Sequence, residues 1–252
     1  MIVKLLILSV VMFFLNLFFC FKTLNKREMK LQLRLEINKA LYLKNPENTD
    51  LGKRIIKHSI ILIHQTGFEA FTFKKLAQEI GTTEAGVYRY FENKHKLLIY
   101  LITWYWGWLE FQIKFQTNNI AEPAIKLKKI ISILSIPVED DLATDYVNES
   151  LLHKICIDEG AKTYLTKQVE ENNKQQFFKP YKDVCALVSE IISEQNPSYK
   201  YPKTLASTII EVAHLQNFFK DHLPSLTDVN NDKTTNLVED FLNDLVTRVL
   251  QS

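Results

Sequence analysis

Between Thr49 and Gly67, apolar residues return every three or four positions. Leu51, Ile55, Ser59, Leu62 and Ile63 fall on one face, and Ile56 and Ile60 widen the stripe. That period belongs to an amphipathic α-helix. Thr49 or Asp50 serves as its N-cap, and Gly67 suits a left-handed end. A short second helix is predicted over FKKLAQEI, residues 73–80, with Thr72 as cap. Phe71 and Leu76 are spaced for a hydrophobic staple, and Leu76, Ala77 and Ile80 face inward. Gly81 makes a corner. Thr82 or Thr83 then caps a third helix, EAGVYRYF at 84–91, whose Val87 and Phe91 stand four apart and face the first two helices. Further helices are predicted at about 93–116, 122–136, 141–157, 159–175, 177–195, 202–221 and 233–250, the first of them capped by Asn93. The predicted fold class is all-α, and only 6 glycines and 7 prolines punctuate the 252 residues.

The chain before Thr49 has other patterns. Residues 1–21, MIVKLLILSVVMFFLNLFFCF, are apolar apart from Lys4, Ser9 and Asn16, a run about long enough to span a bilayer. Lys22, Lys26, Arg27 and Lys30 follow, which would hold the next segment on the cytoplasmic side. Three readings stay open: translation that begins at Met29, an inner-membrane tether through residues 2–21, or a signal peptide, for which no small-residue cleavage site follows. A membrane is a partner only if residues 1–21 are translated. Leu31, Leu33, Leu35 and Ile37 then alternate with polar residues, the period of an extended arm, until Asn45-Pro46 breaks it. The expected domains are an apolar segment at 1–28, an arm at 29–49, a three-helix head at 50–97 and a helical body at 98–252.

Charge separates the two main parts. Residues 1–97 hold 16 of the 31 Lys and Arg but 8 of the 29 Asp and Glu, a net of +8, and residues 98–252 carry −6. A basic part ahead of an acidic one fits a module that faces nucleic acid, joined to something else. Cys20, Cys156 and Cys185 lie far apart with no CxxC pair, which argues against a disulfide framework or zinc knuckle and for a reducing, cytoplasmic setting.

Within the head, the third helix serves two surfaces. Val87 and Phe91 point inward, while Ala85, Gly86 and Arg89 point mostly away. Small residues allow close approach to a DNA groove, Arg89 suits a guanine edge or a phosphate, and the hydroxyls of Thr83 and Tyr88 suit phosphates. Two helices about a glycine corner form a helix-turn-helix. The DNA-facing set is Thr72, Thr82, Thr83, Glu84, Ala85, Gly86, Tyr88, Arg89, Tyr90 and Lys94.

Over roughly residues 50–100 the chain resembles the TetR family of bacterial transcriptional repressors. The resemblance rests on the Ile-rich helix ending at Gly67-Phe68, then Thr72, Leu76-Ala77, Gly81-Thr82-Thr83 and Val87-Tyr88, with Phe91, Lys94 and Leu97. It implies that Thr83, Tyr88 and Lys94 hold phosphates and that Ala85, Gly86 and Arg89 face bases. Glu84 departs from the basic or neutral residue often found there, and Gly86 costs about 1 kcal/mol relative to Ala inside a helix. The resemblance further implies a homodimer on an inverted-repeat operator of double-stranded DNA. A small-molecule effector in the body would then shift the two heads away from successive major grooves, about 34 Å apart.

The body offers less chemistry. Tyr100, Trp104, Trp108, Phe111 and Phe115 recur at spacings of three and four; the stripe reads as a core seam, with Trp104, Trp108, Phe111 and Phe115 as candidates for an effector pocket. The last two helices have apolar faces, one of Leu205, Thr208, Ile209, Val212, Leu215 and Phe219 and one of Phe241, Leu242, Leu245 and Val249 beside Leu237. In relatives such a pair forms the dimer interface. His153 and Cys156 stand one turn apart, but two ligands do not make a metal site. His214 and His222 are eight apart. No nucleophile motif or phosphate-binding glycine loop occurs, so neither enzyme, cofactor nor metal is expected. An enzyme with a helical head and an effector-free, membrane-tethered or architectural DNA binder are the competing classes.

Overall fold

Four side-chain caps divide the first part of the molecule. Thr49 Oγ1 accepts from the Gly52 amide at 3.1 Å, Thr72 Oγ1 from Lys75 at 3.2 Å, Thr83 Oγ1 from Gly86 at 3.1 Å and Asn93 Oδ1 from Lys96 at 2.8 Å. Each satisfies an amide that the first turn of a helix leaves unpaired. They open α1 (Asp50–Ala70), α2 (Phe73–Glu79), α3 (Glu84–Tyr88) and α4 (Lys94–Thr117). The computed structural model describes residues 35–140, 144–229 and 236–251. The apolar run at 1–21 and the arm residues Leu31 and Leu33 lie outside the described residues.

The remaining helices are α5 (Pro123–Ser135), α6 (Glu149–Glu159), α7 (Val169–Lys174), α8 (Lys179–Gln195), α9 (Pro202–His222) and α10 (Leu237–Gln251). The described elements are all helical, as the apolar periods predict. Ile55, Ile56, Ile60 and Ile63 of α1 meet Phe73, Leu76 and Ala77 of α2 and Val87 of α3 in a common core. Burying each aliphatic side chain is worth about 1.5–3 kcal/mol. Positive φ at Gly81 (63°) makes the corner between α2 and α3, a backbone angle that other residues adopt only under strain. In the body, α8 packs on α4, α5 and α9, and α10 packs on α5 and α9.

Three sequence expectations change. The described part of the arm, 35–49, is not a strand: Asn38 and Asn45 each cap a 3-10 turn, Lys39–Leu41 and Pro46–Asn48. The helix expected from 141 begins at Glu149, because Asn148 caps it and Asp140 accepts from the Ser150 amide at 2.8 Å. The helix expected at 159–175 is instead the 3-10 turn Gly160–Thr163 and the short α7.

Head and body meet at a bend. At Gly67 (φ 74°, ψ 158°) α1 breaks, then runs one more turn to Ala70. Two body and linker side chains fasten that turn. The buried carboxylate of Glu159, at the end of α6, accepts from the Phe68 amide at 2.8 Å, and Lys162 bridges Glu159 at 2.6 Å and Glu69 at 3.3 Å. Lys94, in the first turn of α4, donates to the carbonyls of Phe68, Glu69 and Phe71 at 3.0, 3.1 and 3.3 Å. Its ammonium also sits 4.7 Å from the centre of the Phe68 ring. Lys94→Met keeps the apolar stem and removes the charge. Unfolding by denaturant should show a loss of roughly 1–3 kcal/mol, the worth of hydrogen bonds made by a charged donor. Undiminished stability would return Lys94 to the set of free lysines.

Farther into the body, Tyr105, His153 and His214 form a buried ring cluster, with Tyr105 Oη 2.8 Å from His153 Nδ1. Burial pushes His153 down to about 4, helped by Lys154, and His214 down to about 3, helped by His153. Above the ordinary histidine value of about 6.5 both states of the chain are neutral at these rings. Below it the unfolded chain takes up protons that the folded chain refuses, so stability falls as pH falls. Each ring should cost on the order of 1 kcal/mol by pH 5.5. Denaturant midpoints at pH 7.5 and 5.5, compared with those of His214→Asn, check this: the variant should lose less on acidification, and an equal loss would contradict the assignment.

Candidate nucleic-acid interface

The short α3 has one buried residue, Val87, and turns its other positions outward. Ala85, Tyr88 and Arg89 are exposed, as are Thr83 and Glu84 at its start; Thr82 and Gly86 are half-buried. Tyr88 is held by an edge-to-face contact with Phe73 (5.0 Å between ring centres) and stays 46% exposed. Arg89 follows the last turn and makes no ion pair among the described residues. Thr72 is exposed beside α2, its Oγ1 already accepting from Lys75. Lys74, which the sequence reading passed over, is exposed next to Phe73, and its position on the α2 face is its only signal.

Two members of the expected DNA-facing set are elsewhere. Tyr90 is buried: its hydroxyl is 2.8 Å from Thr49 Oγ1 and its carbonyl accepts from Leu43, so it pins residues 43–49 to the head and offers no ring to a groove. Lys94 spends its ammonium on the three carbonyls of the 67–71 turn.

The four residues expected to line an effector pocket do not meet in one cavity. Trp104 is buried in the core, and Phe115, 71% exposed, stacks on Phe111 at the surface. Trp108 borders a shallow groove with Ile133, Ile136 and Pro137. The sequence stripe failed here because residues 97–106 are all buried, so α4 has no single inward face. A different cavity, about 80 Å³, opens between α4, α6 and α9. Trp106, Cys156, Tyr164, Glu211, His214 and Phe218 are among its lining residues. Of these, sequence reasoning had singled out Cys156 and His214, but not as parts of a cavity. His153 and Cys156, weighed as a metal pair, are a partner of Tyr105 and a cavity wall.

The expected dimer residues divide in two. Leu205, Ile209 and Leu242 are buried within the subunit, a correction: they hold α9 and α10 to the body. Leu215 and Phe241 stay 47% and 43% exposed, while Val212, Phe219, Leu245 and Val249 are half-buried. Both helices are therefore apolar on more than their inner faces.

Among the described residues, no helix is long and apolar enough to cross a membrane. Residues 55–101 match the family model for bacterial regulatory proteins of the tetR family. No curated protein matches the sequence. Solved structures share the fold. AibR in complex with isovaleryl coenzyme A and operator DNA superposes with a TM-score of 0.53 at 17% identity, over 79% of this chain and 98% of that one. FadR from Bacillus subtilis in complex with stearoyl-CoA gives 0.53 at 20% identity, over 78% and 96%. A tetR-family regulatory protein from Rhodococcus RHA1 gives 0.55 at 14% identity, over 78% and 95%. The match to the tetR family is thus confined to residues 55–101, the helix-turn-helix segment, and the likeness to the solved structures extends over the all-helical body behind it.

Proposed function

We propose that this regulator is a repressor that holds an inverted-repeat operator as a homodimer and leaves it when a small effector enters the body. Residues 50–97 are the DNA-binding head and 98–252 the effector and dimer body. The observation that carries the reading is the outward face of α3, where Ala85, Tyr88 and Arg89 stand exposed on a head whose core is formed by other residues. A small residue, a phenol and an unpaired guanidinium in a row suit a major groove: Ala85 admits the backbone of the helix, Tyr88 and Thr83 offer hydroxyls to phosphates, and Arg89 reaches a base edge. Lys74 adds a phosphate contact. AibR, whose structure holds both an acyl-CoA and operator DNA, supports the pairing of effector and operator. The open parts of α9 and α10, with Leu215 and Phe241 at their centre, serve as the seam between subunits. Glu84 beside the phosphates weakens the grip.

A footprint of the purified protein on DNA upstream of its own coding sequence locates the operator, and protection of two half-sites is the expected pattern. Arg89→Ala should then cost roughly 1–3 kcal/mol on that operator and much less on a scrambled duplex. Lys74→Ala should weaken both duplexes alike and lower the salt slope by about one unit. Equal losses on both duplexes for Arg89→Ala would assign Arg89 to the backbone, and no loss for either variant would remove this face from DNA binding.

A further inference from the structure

The cavity between α4, α6 and α9 has an unbalanced lining. Its apolar walls come from Ile102, Trp106, Ile157, Leu215 and Phe218, and among the described residues no lysine or arginine lines it and its one carboxylate is Glu211. Tyr181 Oη donates to Glu211 Oε1 at 2.5 Å and Tyr164 Oη donates to the same oxygen at 3.4 Å, which leaves Oε2 without a donor among the described residues. Burial raises both phenols, Tyr164 to about 12, and Glu211 beside them raises them further, so neither supplies a countercharge or a second anion. His214 is the other polar wall. It is only 6% exposed, and its Nε2 is buried with no hydrogen-bond partner among the described residues. Burial keeps this ring neutral, so it accepts or donates but does not compensate Glu211.

A site with one anion and an aromatic and aliphatic wall selects by charge. A carboxylate, phosphate or thioester-linked nucleotide would meet Glu211 with no cation to receive it. A protonated amine satisfies Oε2 by a charge-assisted bond and lays its carbon chain on Phe218 and Leu215. The volume of about 80 Å³ has room for on the order of five water-sized groups. We propose that this cavity is the effector site of the regulator and that its ligand class is a small aliphatic amine, bound as the ammonium ion. The proposal rests on the effector reading given above. Cys156, Gly160 and Ala161 of the cavity wall flank Glu159, the residue that fastens the head, so an occupant presses on the end of α6.

Calorimetric titration of the full chain, free of DNA, with n-butylammonium chloride tests the site, with butyrate and n-butanol as charge controls. Saturable one-to-one binding of butylammonium is expected, at least tenfold tighter than butanol, with none for butyrate. Glu211→Gln retains an acceptor for Tyr164 and Tyr181 and should weaken the ammonium at least tenfold. Ala161→Leu leaves the charge in place and fills the wall, and it should weaken butylammonium and butanol together. Absence of saturable ammonium binding, equal binding of butyrate, or an unchanged Glu211→Gln variant whose circular dichroism matches the parent would overturn the proposal. The footprint on upstream DNA is measured without amine. Protected half-sites with no amine binding would sink this site alone, and amine binding without protected half-sites would sink the repressor reading alone.

Discussion

One turn of backbone, residues 67–71, fixes where the outward face of α3 stands relative to the body. A glycine with φ 74° lets the first helix break there, and a broken helix exposes amides and carbonyls that need partners. Glu159 takes the Phe68 amide from the body side, and Lys94 takes three carbonyls from the start of α4. α2 begins two residues beyond this turn, and α3 packs on α2. The orientation of the outward face of α3 is thus set by a carboxylate on one side and an ammonium on the other. A carboxylate on an amide and an ammonium on carbonyls are stronger and more directional than the apolar contacts around them, which slide at little cost.

The same turn joins the head to the cavity. Glu159 is the last residue of α6, and the 3-10 turn after it, Gly160–Thr163, forms part of the cavity wall. Any occupant that shifts this helix end acts on a hydrogen bond of 2.8 Å rather than on a diffuse apolar surface. A hydrogen bond weakens steeply with small displacements and angles, so a movement of under an ångström at the wall has a sharp effect at Phe68.

The head was the most legible part of the sequence because its signals are local. Thr49, Thr72, Thr83 and Asn93 each bond an amide three residues on, and each helix start follows from a single residue type. What the sequence hid depends on long-range partners. Tyr90 reads as one of four outward aromatic and basic residues until Thr49, 41 positions earlier, takes its hydroxyl. Lys94 reads as a free cation until the 67–71 turn arrives beneath it. The stripe from Trp104 to Phe115 did not single out a pocket because residues 97 to 106 of α4 are all buried, and a stretch with no exposed side leaves no face to read. Leu205, Ile209 and Leu242 look the same in sequence as Leu215 and Phe241, since nothing in a single apolar side chain says whether the fold covers it or leaves it exposed.

The account turns on the bond between Glu159 and the Phe68 amide, and native-state hydrogen exchange reads that bond directly. In Glu159→Ala the Phe68 amide should exchange much faster than in the parent, together with neighbouring amides of the 67–71 turn and α2. Core amides of α8 and α9, remote from the turn, should keep their rates. Unchanged exchange at Phe68, or a uniform increase across the whole molecule, would contradict a local fastening of the head by α6.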